Sequence, residues 1–567
     1  MELTRRVVIV LLCLLFAAAV AARVSTTDRL DSPYFKGTSA MAYRHALAVA
    51  DGASLTAHDE KAGGPGGYTP ARYRAAGAET MTGMAYRAFR GVSDVDGRPF
   101  TRRLSLLVAS LCVFTAYGVA SRLWNSRGAG LLAAFLVAFG PALAEATNGR
   151  VFSHVIFAAF FGSLYATVAL HALMTSSRAA SVGAALAAAP FLWVWEPARY
   201  ALAAWVVAAA LVPNVGRRTR IWFVLSHAPV IVAGAALMPH LAATRALGAW
   251  TTAAVISAAL VSVWPESRRG GPRAAVWLAC GTALLTALAA PLRAGATEQF
   301  PVTEYVFTRL RYLFGRPDPS ALSDWMRHLW SIEHAPLAPE RAIELLLPPL
   351  LCALAWLANR AARAGRARRA TTLALFMVAS TAAVLDRSIL PGAAVVMSVM
   401  VAGAAVQLDW KRWKQSAWLA LGLYTALSGV VLAGTELDVS HQLARAARVD
   451  GKDPSSFVWV SFENTDRELV RFVATRTSVQ ETILAPEDVS ALLLAFTGRT
   501  IAQLPGTTSR APSLRHVELT RALYRDEAAL YELCRRDGID YVVYSIDVLL
   551  DAGPYAPSRL AAANALD

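Results

Sequence analysis

Residues 5–37 read RRVVIVLLCLLFAAAVAARVSTTDRLDSPYFKG. Two arginines precede a mostly apolar run over 7–23, and a polar stretch with Asp28, Asp31, Tyr34 and Phe35 follows it. A helix that crosses a bilayer needs about 20 mostly apolar residues, and Lys and Arg gather on its cytoplasmic side. The stretch therefore predicts a first membrane span with its N-terminus in the cytoplasm and two carboxylates just beyond its outer end. A cleavable secretory signal is the rival reading, since the run has a basic start and ends in AAAVAAR. Everything downstream keeps its side of the membrane under either reading.

The pattern recurs along the chain. Thirteen candidate spans are legible, at about 7–23, 104–121, 128–144, 154–174, 180–195, 198–213, 221–238, 243–264, 274–292, 343–358, 371–385, 389–408 and 416–434. Every second loop is basic: Arg122 and Arg127; Arg178; Arg217, Arg218 and Arg220; Arg268, Arg269 and Arg273; Arg360 to Arg369; and Lys411, Arg412 and Lys414. All fall in phase with a cytoplasmic N-terminus. Composition agrees: 56% of the 567 residues are hydrophobic and 17% charged, with a mean hydropathy of +0.41, against about 45–50% and about 25% for a soluble domain. The net charge of +15 lies mostly in those short loops, so it marks topology rather than a nucleic-acid partner. The five cysteines are scattered, with neither metal-ligand nor disulfide spacing.

The fold class expected is thus a polytopic α-helical membrane protein with about 13 transmembrane helices and a small C-terminal extracytoplasmic α/β domain. The non-membrane mass lies on one side, in 24–103, 293–342 and 437–567, which divides the chain into 1–436 and 437–567. In the C-terminal part, ETILAPEDVSALLLAFTGRTIAQLP (481–505) reads as strand, helix and strand, and DEAALYELCRRDGIDYVVYS (526–545) as an amphipathic helix, a turn and a further strand. There is no Walker motif and no visible internal repeat.

Six polar groups lie on the outward segments. Asp28 and Asp31 sit where a carboxylate can act as a base on an acceptor brought to the membrane surface, beside Tyr34 and Phe35; their plain alternative is solvated loop carboxylates. Arg387 in LDRSILPGAAV (385–395) offers a planar fork of donors to a lipid phosphate, or else anchors the interface against Asp386. Arg150 in EATNGRVFSHV (145–155) is followed by His154. GGYTPARYRAAGAETMTGMAYR (66–87) carries Arg72, Glu79 and Arg87; Glu333 lies in LWSIEHAPLAPE (329–340); and WVWEPARY (193–200) places Glu196 and Arg199 in a short outward turn.

This arrangement resembles the GT-C superfamily of membrane glycosyltransferases, in particular the oligosaccharyltransferase catalytic subunit and the tryptophan C-mannosyltransferases. SPYFKG (32–37), TPARYRAAGAETMTGMAYR (69–87), GRVFSHVIF (149–157), RYLFGRPDPSALSDWMRHLWSIE (311–333) with ELLLPPLL (344–351), and LDRSILPGAAVVMSVM (385–400) resemble stretches of the C-mannosyltransferases. The departures are an Asp where those enzymes use a catalytic Glu, and Val151 where an acid follows the matched arginine. The sequon-reading Trp-Trp-Asp-Tyr-Gly motif of oligosaccharyltransferases is absent from 437–567.

The resemblance implies a polyprenyl-phosphate sugar, most naturally mannose, as donor, and a protein or glycan acceptor outside the cytoplasm. It implies Asp31, or else Asp28, as catalytic base, and Arg387 and Arg150 on the donor phosphate. Arg72, Glu79, Tyr34, His154 and Glu333 would contact donor or acceptor. No cofactor beyond the lipid-linked sugar and no metal is implied, and the Ala/Arg-rich composition suggests a bacterial inner or plasma membrane. Two other functions fit the same topology: a bacterial transferase acting on a lipid-linked glycan or polysaccharide, and a transporter or flippase for a lipid-linked sugar.

Overall fold

The computed structural model of the chain describes residues 4–28, 34–92, 96–140, 143, 151–211, 216–264, 272–293, 308–309, 311–312, 322, 390–407, 462–504 and 510–544. Ten apolar helices among them form the membrane-like body. Helices α1 (Arg5–Asp28), α5 (Gly97–Leu123), α7 (His154–Thr175) and α10 (Arg217–Leu237) are long and apolar enough to cross a bilayer. Six shorter ones are α6 (Arg127–Phe139), α8 (Arg178–Val194), α9 (Ala198–Leu211), α12 (Trp250–Val263), α13 (Pro272–Leu288) and α14 (Leu390–Gln407). The outer segment between α1 and α5 supplies α2 (Gly37–Ala50), the single turn α3 (Pro70–Tyr73) and α4 (Gly77–Arg90), and the short α11 (Pro239–Ala243) follows α10.

The helix starts are written locally. Ser126, Ser153 and Ser177 each accept a hydrogen bond from a backbone N–H of the first turn, at 3.2 Å in all three cases. Such caps satisfy donors that the helix itself leaves unpaired. Asn125 and Ser176 take left-handed φ values of 48° and 55°, which close the tight turns from α5 into α6 and from α7 into α8. Inside the bundle, Thr115 and Ser163 hydroxyls bond each other at 2.7 Å, and Thr167 donates to the Thr115 carbonyl at 3.1 Å. These bonds join α5 to α7 where Gly118 leaves room for Thr167; polar glue beside small residues is how helices pack in lipid.

Contacts between helix ends respect the alternation deduced from the basic loops. Arg23 donates to the Val137 carbonyl at 3.2 Å, α3 packs on α11, and Gly77 lies against Trp193; all are ends assigned outward. Trp124 at its inward-assigned end donates to the Val399 carbonyl in the middle of α14 at 3.0 Å, and the Arg178 guanidinium stands 4.5 Å from the Trp222 ring, both at ends assigned inward. No such contact joins an outward end to an inward one among those printed for the described helices.

Several boundaries differ from the sequence reading. Helix α1 runs on to Asp28, past the expected span end at 23, and α5 begins at Gly97, before the expected span start at 104. The eighth expected span, 243–264, does not start as a membrane helix. Its first residues finish α11 and form a turn at Ala246–Gly248, entered through Arg245 at a left-handed φ of 52°, and the helix proper begins at Trp250. The fifth and sixth spans keep the short lengths legible in their sequence, with 17 and 14 residues, and the fifth contains Pro190. The expected spans at 343–358, 371–385 and 416–434, and the division at 436/437, lie outside the described residues.

The C-terminal unit is the small α/β structure expected. A parallel sheet has the order β2-β1-β3, with β1 (Thr482–Leu484) between β2 (Thr500–Ile501) and β3 (Tyr541–Val542). Helix α16 (Glu487–Thr497) crosses from β1 to β2, and α18 (Glu527–Asp537) leads into β3. Gly498 and Gly538 end those helices in left-handed conformations, the usual helix stop. Helices α15 (Phe462–Arg476) and α17 (Arg510–Arg525) complete the unit. Ala62, from the outer segment, bridges Ile501 in parallel fashion, so β2 is not a free edge.

Helices α2 and α4 pack face to face, and Gly83 makes their approach possible: a Cβ there would press on the Ala46 carbonyl and come within 2.7 Å of Val49 Cβ. Gly83→Val is therefore expected to lower stability by about 1–3 kcal/mol or more, read as a lower midpoint of thermal unfolding in detergent. Gly66→Ala, which meets nothing within 4 Å, is the control; equal midpoints for both variants would refute the close-approach account.

Candidate active site

The Phe35 side chain is wholly buried, and three segments far apart in sequence close on it. Tyr43 of α2 lies with its ring centroid 5.2 Å away, Phe152 at 6.4 Å, and the Arg102 guanidinium of α5 stands 5.3 Å from the ring centre. The Phe152 N–H also donates to Ser39 Oγ at 3.2 Å. Phe152 directly precedes the Ser153 cap and His154, the first residue of α7. Tyr34 meets Phe496 of α16 edge-on at 4.7 Å. The outer end of the bundle is thus walled by aromatic rings, with Arg98 and Arg102 on the first turns of α5.

Of the residues singled out by sequence, Asp31, Arg150, Glu333 and Arg387 lie outside the described residues. Asp28 is the last residue of α1, and its side chain is not among those described. Tyr34 and His154 are at the aromatic cluster or one turn from it. Arg72 is exposed on α3. Glu79 is fully buried in the first turn of α4, and its ion-pair partner is Arg74. The turn between α8 and α9 holds Glu196 and Arg199 as expected, 3.6 Å apart, with Arg199 also bonding the Tyr200 hydroxyl at 2.8 Å.

The sequence reading passed over Arg74, Arg102, Phe152, His45 and Phe496. Only proximity in space gives these residues a role; Arg102 in particular reads as the basic flank of a span. Arg98 is bound to Asp96 through Nε at 2.7 Å, a pairing that lowers the Asp96 carboxyl against its burial. Among the described residues, no group of three or more His, Cys, Asp or Glu side chains could hold a metal ion.

His45 lies beneath the site, buried, with its ring stacked 6.4 Å from that of Tyr68. Burial, and then the positive charges of Arg74 and Arg44, hold its imidazole well below the usual histidine range. His240, at the outer end of α10 near Arg199, is pushed down to about 4, chiefly by burial. In both cases the unfolded chain binds the extra proton below about pH 6.5. Their stabilising share is therefore complete above that pH and is lost as the pH falls through it. Unfolding midpoints followed from pH 7.5 to 5 should drop, with His45→Gln flattening the slope by up to about 1.4 kcal/mol per pH unit. An unchanged slope in that variant would mean that His45 is already protonated in the fold.

No family model matches the sequence, and no curated protein matches it. Solved structures do. The fold is similar to that of the oligosaccharyltransferase of Archaeoglobus fulgidus in its apo form, with a TM-score of 0.67 and 14% identity over 96% of this chain and 70% of that one. The same enzyme tethered to an acceptor peptide containing the NVT sequon gives 0.65 at 14% identity, again over 96% and 70% of the two chains. The archaeal oligosaccharyltransferase AglB in complex with an inhibitory peptide and a dolichol-phosphate gives 0.63 at 13% identity, over the same shares. At such identity the likeness is one of fold.

Proposed function

We propose that the chain is a GT-C-type membrane glycosyltransferase that moves a sugar from a polyprenyl-phosphate donor to an acceptor at the outer face. The observation that carries this reading is the Phe35–Phe152 contact. Those rings belong to the stretches that carry the two kinds of group the chemistry needs, the carboxylate Asp31 and the cation Arg150. The fold adds support, since a protein of similar fold was solved with a dolichol-phosphate and an inhibitory peptide.

In this reading the donor chain lies among the membrane helices, and its phosphate meets Arg387 and Arg150, with Arg102 close by. Asp31, or Asp28 in its place, takes the proton from the acceptor as the bond to the sugar C1 forms and the C1–O bond to phosphate breaks. The charge that develops on the leaving phosphate is held by guanidinium groups, an electrostatic stabilisation of the transition state. Tyr34 and His154 line the approach; Glu79, Arg72 and Glu333 belong to the outer segments that meet the acceptor. Mannose as the sugar, and tryptophan carbon as the acceptor atom, follow from the resemblance to C-mannosyltransferases. The chain divides into a membrane domain (1–436) and an extracytoplasmic domain (437–567), set in a bacterial inner or plasma membrane.

The test is purified protein with radiolabelled polyprenyl-phosphate mannose and a Trp-x-x-Trp peptide. Loss of the base should slow transfer by about 100- to 10,000-fold in Asp31→Asn, and Arg387→Met should do so with weaker donor binding. Donor hydrolysis without peptide labelling would keep the transferase and change the acceptor. No consumption of this donor or of other polyprenyl-phosphate sugars would retire the transferase reading in favour of transport.

A further inference from the structure

We infer that the C-terminal unit positions the segment Tyr34–Lys36 at the outer site, with Phe496 and Asp466 as the positioning residues. The inference deepens the transferase reading and rests on it for its catalytic consequence. Residues 34–36 belong to no helix or strand. Lys36 is extended, at φ −121° and ψ 163°, and caps α2 without a side-chain hydrogen bond. In an extended segment alternate side chains point to opposite sides, and here the two sides have different hosts. Phe35 turns to the membrane helices and to Phe152. Tyr34 and Lys36 turn to the C-terminal unit, where Tyr34 meets the Phe496 ring at 4.7 Å and Lys36 Nζ meets Asp466 Oδ2 at 2.6 Å. Phe496 also stacks on Tyr43 at 5.5 Å, so one ring touches both the segment and the helix that follows it.

A clasp positions something only if it is itself fixed. The C-terminal unit is fixed to the same outer segment by main-chain bonds. The Gly63 N–H donates to the Ile501 carbonyl at 3.0 Å, and the Ile501 N–H to the Lys61 carbonyl at 2.9 Å. Arg44 donates to the Leu494 carbonyl at 3.4 Å and Lys61 to the Gly498 carbonyl at 3.0 Å. Arg44 is in turn held by Asp59 at 2.6 Å. Phe496 lies between Leu494 and Gly498 in sequence, so its ring is carried on the stretch of chain that these bonds hold.

The experiment uses the full chain and reads two quantities. The first is backbone hydrogen exchange of the peptide covering 34–40; the second is donor turnover, resolved into kcat and the KM for donor. Phe496→Ala and Asp466→Asn should each speed exchange there several-fold. They should lower kcat by about 10- to 100-fold, the scale of a misplacement near 1 Å, with KM for donor within about twofold of wild type. The charge-reversed pair Lys36→Asp with Asp466→Lys should restore both quantities where either single change does not. Tyr531→Ala, an exposed position of the same unit on α18, should change neither. Unchanged exchange in Phe496→Ala and Asp466→Asn, or changes no larger than in Tyr531→Ala, would overturn the inference, as would faster exchange with unaltered kcat. A wild-type protein that turns over no donor would count against the transferase reading, and the exchange arm would still decide whether the clasp exists.

Discussion

The burial of one ring, Phe35, organises the outer face. A fully buried phenylalanine contributes about 1.5–3 kcal/mol relative to an exposed one, and it does so only when its neighbours close around it. Here the neighbours are Tyr43, Phe152 and Arg102, drawn from α2, from the entry to α7 and from α5. Each carries a different part of the surroundings: α2 leads to the buried polar layer, the entry to α7 leads back to Arg150, and α5 brings cations. Removing the ring would cost more than its own burial, because these three would lose their common reference point.

The polar layer under the site obeys the same economy of space. Glu79 is completely buried and paired with Arg74; a buried pair adds little net stability, yet losing one partner costs about 3–5 kcal/mol. Glu79 also sits in the first turn of α4, where the helix dipole favours a negative charge. With Arg44 tied to Asp59, the nearby arginines have carboxylate partners, and His45 between them stays neutral. The layer is a scaffold of fixed charges, which suits a surface that has to present groups in one arrangement.

Much of the fold was legible because it is periodic or punctuated. Apolar runs between basic loops marked the described helices, and Asp537-Gly538 and the hydrophobic runs around 482 and 541 marked the strands. The site was less legible, for a physical reason: its contacts join residues far apart in the chain. Tyr34 and Phe496, or Lys36 and Asp466, are separated by hundreds of residues, and no spacing rule links them. The Arg74–Glu79 pair shows the same limit at short range: Arg74 stands in an extended conformation after α3, where no helical spacing links it to Glu79. Arg102 was hidden because a basic residue at a helix end already has a sufficient explanation in topology.

The length of α5 sets the depth of that arginine. Its 27 residues span about 40 Å at 1.5 Å per residue, against a hydrocarbon core of about 30 Å. At the inner end, Arg122 folds back to the Gly118 carbonyl at 3.0 Å and Trp124 bonds to α14, a pairing of residue types that marks a membrane boundary. The helix thus exceeds the hydrocarbon thickness by about 10 Å, and the turns that carry Arg98, Arg102 and Arg103 lie at its N-terminal end. The Arg102 guanidinium stands 5.3 Å from the centre of the buried Phe35 ring, so a cation and the end of the apolar packing meet there. The aromatic cluster and the cations on α5 share one end of the bundle, and the transfer proposed above, of a sugar from a lipid phosphate that leaves to a water-borne acceptor, would take place at such a boundary.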